Sequence, residues 1–70
     1  MNPREFLDLC IKNKKVKNSV IVYYNGIIYH PIRIVVWVDD DFNVQNSAVL
    51  ESPLAKSTIQ VPIKDVHLEK

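Results

Sequence analysis

Glycine and cysteine are nearly absent from this chain, each occurring once in 70 residues. With Gly26 alone, no glycine-rich loop can wrap a phosphate, because such loops need several positions where the backbone comes close to the ligand. With Cys10 alone, no internal disulfide can form. The two histidines, His30 and His67, stand far apart without a second cysteine, so no zinc-ligand spacing exists. Neither sign of charge dominates: nine Lys and Arg against eight Asp and Glu leave a formal +1. That argues against a long electrostatic track along duplex DNA, while leaving room for a local basic patch. Long apolar runs are missing too. The longest, Ile32 to Val38, contains Arg33 and is far too short to span a bilayer. Met1-Asn2-Pro3-Arg4-Glu5 is no basic stretch leading into an apolar one, so no secretory leader is expected. A lone, uncrosslinked cysteine suits a reducing cytoplasm.

Catalytic signatures are equally scarce. Neither histidine has an assignable acid or serine partner, and Cys10 sits among apolar helix residues, as a small buried hydrophobe rather than a nucleophile would. Asp39-Asp40-Asp41 lacks the alternating oxygen ligands, the glycine and the closing glutamate of a calcium loop. The residues therefore point to binding rather than catalysis, with no metal or cofactor implied.

What is abundant is apolar side chain, 47% of the sequence. Seventy residues suffice for a single domain, here 1–70, and a domain of this size buries only about 60% of the surface its unfolded chain exposes. Small folds need a staple. With disulfides and metals excluded, association with another chain is the one that remains, and a homo-oligomer is expected.

Asn2-Pro3-Arg4-Glu5 reads as a helix start. Asn2 can cap, Pro3 fits the first helical position, and Glu5 can reach back to the cap. Phe6, Leu7, Cys10 and Ile11 form an apolar stripe, and Lys12, Lys14 and Lys15 suit the negative C-terminal end of the dipole. The helix is placed at about 3–14. Ser19 to Tyr24 is strand-like, rich in Val, Ile and Tyr. Asn25-Gly26 is a strong hairpin signal, since both central residues of a type I′ turn need positive φ, and it pairs Tyr24 with Ile27 and Val22 with Tyr29. Ile27 to Asp39 returns as a long strand, with a bulge or bend at Pro31, which has no N–H to donate. Ile32, Ile34, Val36 and Val38 share one face of it and Arg33, Val35 and Trp37 the other, so protein is expected against both. Phe42 to Glu51 reads as a third strand, Ser52 to Ser57 as a loop, Thr58 to Ile63 as a fourth strand with Ile59, Val61 and Ile63 inward, and Val66 to Leu68 as a short fifth. The sum is an α+β, mostly β domain: an N-terminal helix on a strongly bent five-stranded antiparallel sheet, forming a small barrel over about 19–69.

Three stretches resemble the Sm-like family, including its bacterial Hfq branch. Val20-Ile21-Val22-Tyr23-Tyr24-Asn25-Gly26 is similar to the family's first strand and turn. Asp39-Asp40-Asp41-Phe42-Asn43-Val44 resembles its pattern of aspartate, two variable residues, a large apolar residue, asparagine and an aliphatic. Val61-Pro62-Ile63-Lys64-Asp65-Val66 follows the hydrophobic rhythm of its second motif. The chain departs from the family at Pro31, where a glycine is usual, and in a spacing from Gly26 to Asp39 about two residues longer. It also has Gln60-Val61-Pro62 near the place where the Hfq branch has a Lys-His pair, and it lacks the Arg-Gly pair of Sm proteins. The resemblance implies rings built by edge-strand pairing, here between the third strand and the one holding Ile59 and Val61, and binding of single-stranded RNA. Phe42 would stack a base, Asn43 would hydrogen-bond a base edge, Lys64 would assist from the opposite loop, and Asp39 would orient the turn.

The same residues admit plainer roles. Phe42 can plug a barrel end while Asn43 caps a turn, and Lys64 can be a solvated lysine beside Asp65. Lys12, Lys14, Lys15 and Lys17 can steer a phosphate backbone or merely solvate a helix end. Tyr23, Tyr24, Tyr29 and Trp37 can be core or partner contacts. A second function class follows: a small protein-binding module, an inhibitor or adaptor of the kind mobile elements encode, working through exposed aromatics and an open sheet edge.

Overall fold

The computed structural model describes Met1–Lys70. Helix α1 spans Pro3–Lys15. Its start is as the sequence implies: the Asn2 side chain accepts from the Glu5 N–H at 2.8 Å and donates to the Glu5 carboxylate at 2.8 Å, filling both halves of a reciprocal cap. The buried stripe is Phe6, Cys10 and Asn13, with Leu9 against the core. Ile11, expected inside, is 44% exposed. Burial at i, i+4 and i+7 brings Asn13 in and turns Ile11 away.

Four strands follow: β1 (Val22–Tyr24), β2 (Ile27–Val38), β3 (Val44–Glu51) and β4 (Thr58–Val61). They form one antiparallel sheet in the order β1-β2-β3-β4. The Asn25-Gly26 turn has φ of 51° and 73°, and the hairpin register is Val22↔Tyr29 and Tyr24↔Ile27, as expected. The register of β2 on β3 slips between Pro31 and Arg33. This is the bulge anticipated at Pro31, and bulges of this kind bend a strand and sharpen its twist.

The sheet has four strands, not five. Pro62 ends β4, and Ile63–Asp65 winds into a 3₁₀ turn. The segment expected as a last strand makes only one bridge, Tyr23 to His67, with hydrogen bonds of 2.8 and 2.9 Å. The result is a curled half-barrel tied across its opening at one point. Strand β1 is also shorter than expected, because side chains capture the backbone of Val20. Its N–H donates to the Asn13 amide oxygen at 3.1 Å, and its carbonyl accepts from His30 Nδ1 at 2.7 Å. The predicted pairing of β3 with the Ile59–Val61 strand between subunits is instead made within the chain, over Ala48–Glu51 and Thr58–Val61.

The core lies between α1 and the concave side of the sheet. It gathers Phe6, Cys10, Val22, Ala48, Leu50, Val61, Ile63 and Val66, all buried, with Ile34 and Ile59 at its margin. Asn13 also donates to the Pro31 carbonyl at 3.0 Å. One buried amide thus joins the helix, the bulge and the segment entering β1.

Candidate binding surface

Strand β4 pairs with β3 only as far as Ala48↔Val61, and β1 pairs with β2 only over Ile27–Tyr29. Beyond those points the sheet narrows to a two-stranded arm, Val35–Val38 of β2 against Val44–Ser47 of β3. Residues opposite each other in an antiparallel pair share a face. Val36, Val38 and Val44 therefore continue the face that carries Ile34 and Ala48 into the core, but they are 59, 61 and 67% exposed. Trp37 and Gln45 lie on the reverse face, with Trp37 42% exposed. Both faces of β2 were expected to meet protein. In the single chain Ile34 packs against the core, Arg33 is exposed on the reverse face, and cover is lost from Val36 onward.

The arm ends in a turn that holds itself together. Asp39 is the hub: its Oδ1 accepts from the N–H groups of Asp41 and Asn43 at 2.9 Å each, and its Oδ2 from the Gln45 side chain at 2.9 Å. The Asp39 N–H donates to the Asn43 carbonyl at 3.0 Å, and the Phe42 N–H to the Asp39 carbonyl at 3.0 Å. Bonds from the Asn43 backbone and the Gln45 side chain hold the Asp39 carboxyl below its usual range. Phe42 adopts φ of 64° and is 88% exposed. A positive φ is strained for an aromatic residue, and the closed Asp39–Asn43 ring of bonds keeps it there. Phe42 plugs nothing; the barrel-end role is excluded by its exposure.

Asp39, Phe42 and Asn43 therefore share one turn, as expected. Lys64 does not join them. It sits on the 3₁₀ turn and lines a cleft of about 400 Å³ between that turn and the free edge of β3, with Trp37, Gln45, Asn46, Ser47 and Pro62. Gln45 links the two, donating to Asp39 on one side and lining this cleft on the other. A second cleft, about 530 Å³, opens between the end of α1 and β2. Lys14, Lys17 and Arg33 face it, with Glu51 as the one carboxylate. The chain's single ion pair, Arg4 with Asp8 at 3.6 Å, involves none of them. Of the basic run expected near the helix end, Lys14 and Lys17 thus converge with Arg33, a residue the sequence pattern had only placed on a strand face.

No three of the His, Cys, Asp and Glu side chains come together to hold a metal ion. Burial pushes the Cys10 thiol up to about 11, so it stays protonated at neutral pH. No helix is long and apolar enough to cross a membrane. Trp37 and an open sheet edge were both expected as possible partner contacts; that they lie side by side, at Val44–Ser47, is what residue-by-residue reading missed. Its sequence signal was the run from Ile34 to Val38, apolar on both faces.

No protein-family model, no curated protein and no solved structure matches this chain. The Sm-like resemblance rests on the three stretches that carry it.

Proposed function

We propose that this is a non-catalytic protein-binding module whose working part is the β2–β3 arm. A strand from another polypeptide pairs with the free edge of β3, Val44–Ser47, and widens the ribbon into a sheet. One observation carries this reading: a two-stranded ribbon, unpaired along both edges and apolar on both faces of its β2 strand, extends past the rest of the sheet, and its β3 edge borders the cleft beside Lys64. Isolated hairpins are marginal in water, and natural proteins normally blunt exposed edges with charge, proline or cover. Here the edge carries Val44, Gln45, Asn46 and Ser47, none of them charged. In strand addition the main chain supplies affinity and flanking side chains supply selectivity. Trp37, half-exposed beside the edge, is of the type that anchors such contacts. The test is co-purification from the native source with the wild-type chain and with Val44→Lys plus Val36→Thr. A stoichiometric polypeptide, either a different protein or a second, untagged copy of this chain, retained by the first and lost by the second is expected. Equal retention by both would refute the reading.

Single-stranded RNA binding by an Sm-like protein is the second reading. It is favoured by Phe42, held out to solvent on a rigid turn, and by the three unpaired cations of the larger cleft. Stacking on such an aromatic is worth about 1–3 kcal/mol per base. Titration with uridine- and adenine-rich oligomers decides it. Binding that weakens on Phe42→Ala supports RNA, and a flat titration with a protein-like 260 to 280 nm absorbance ratio removes it. Either activity suits the cytoplasm, where the buried Cys10 thiol would stay reduced.

A further inference from the structure

We infer that the strand added to the β3 edge is the β3 edge of a second copy, giving a two-fold dimer joined through the arms. The inference rests on the strand-addition reading and names its partner. Three features of the arm fit its own copy. The first is symmetry. A two-fold axis normal to the sheet, passing beside Gln45 or Asn46, pairs the free edge with itself in antiparallel fashion, and an isologous contact of this kind closes without leaving a new edge. Such an axis returns each sheet face to itself. Val36, Val38 and Val44 of the two copies then share one face with both Asn46 side chains among them, and the two Trp37 side chains lie on the reverse, about 14 Å apart across three strand spacings with both Gln45 side chains between them. The second is length. The free edge is four residues long, and it stops at Ala48 because β4 occupies the position beyond. An antiparallel partner strand there runs out into its own turn at Asp39–Asn43, so the arm ends where β4 begins to block it. The third is charge. The partner's turn arrives against Pro62 and the 3₁₀ turn, which brings its Asp40 and Asp41, whose carboxylates make no ion pair within their own chain, toward Lys64, likewise unpaired. The cleft beside Lys64, bounded by Trp37, Gln45 and Asn46, is the slot the incoming strand fills.

Light scattering after gel filtration and amide hydrogen exchange, both on the full chain, test this. The wild type is expected at twice the chain mass at about 0.1 mM, an affinity within the ordinary range for a small interface. Lys64→Glu is exposed and leaves the fold intact; because its contact occurs twice in the dimer, it should weaken association about tenfold. Adding Asp40→Lys to Lys64→Glu should restore it. Alternate amides within Val44–Ser47 should become protected as the dimer forms, since only alternate residues face the edge. A monomer at about 1 mM, beyond any specific dimer of interest, overturns the inference. So does a dimer that leaves those amides exchanging as in the monomer. If the wild type is monomeric while Val44→Lys plus Val36→Thr still releases a co-purified protein, the dimer falls and strand addition stands. If it is monomeric and that variant changes nothing, both fall.

Discussion

Asn13 is buried near the end of α1, with its amide nitrogen on the Pro31 carbonyl and its oxygen on the Val20 N–H. Truncation to alanine leaves a backbone donor and acceptor unpaired in the interior. A loss of about 2–4 kcal/mol is expected, because each orphaned buried group costs its desolvation. Urea unfolding of Asn13→Ala measures it, and Ile11→Ala at the exposed neighbouring position should cost far less. Cys10 gives a second test. Its folded-state value lies near 11 against 9.0 for the free thiol. Burial disfavours the thiolate, so the linked stability is full below pH 9 and declines as pH rises from 9 toward 11. Alkylation at pH 8 should accordingly be slow in the native protein and fast in denaturant. Asp39 runs the other way. Its value is lowered by the turn's N–H groups, so its contribution is present above the ordinary carboxylate value and disappears as pH falls through the lowered one. The Asp41 and Asn43 amide resonances should follow that titration, with a midpoint below 3.8.

At the scale of the element, the local signals were strong where one short stretch decides the outcome. The Asn2–Glu5 cap, the Asn25-Gly26 turn and the Pro31 bulge were all legible, because each depends on which φ a residue tolerates or which N–H it lacks. Gly26→Ala isolates that effect. Nothing lies within 4 Å of an added Cβ, but φ is +73°. The expected loss is therefore backbone strain alone, roughly 1–2 kcal/mol, read as a lower thermal midpoint with the core unchanged. Strand ends were less legible. Ser19 to Ile21 has strand-forming side chains yet lies outside β1, since Asn13 and His30 hold Val20 from across the molecule. Ile63 kept its inward direction, being 2% exposed, but within a 3₁₀ turn rather than a strand.

For the whole molecule, the consequence of narrowing to a two-stranded arm is an apolar surface the chain cannot cover by itself. Val36→Thr with Val44→Lys replaces two exposed aliphatic side chains with a polar and a charged one without touching the buried cluster. Stability of the isolated chain should change by less than about 0.5 kcal/mol, as for surface substitutions elsewhere, while solubility rises. Light scattering against concentration, alongside urea unfolding, measures both. Of the proposed RNA contacts, Asp39, Phe42 and Asn43 were legible as a group because they are neighbours in sequence. Lys64 was not, because its position depends on where Pro62 releases the chain from the sheet.

Sequence alone determined the helix and its cap, the tight hairpin, the bend in β2 and the inward direction of Val61 and Ile63. These are local matters of dihedral preference and periodicity. Tertiary structure decided how many strands the sheet has, where β4 stops, that Phe42 faces water and that Trp37 and Lys64 share a cleft. Each of those follows from which backbone groups find partners far away along the chain, and no window of neighbouring residues contains that information.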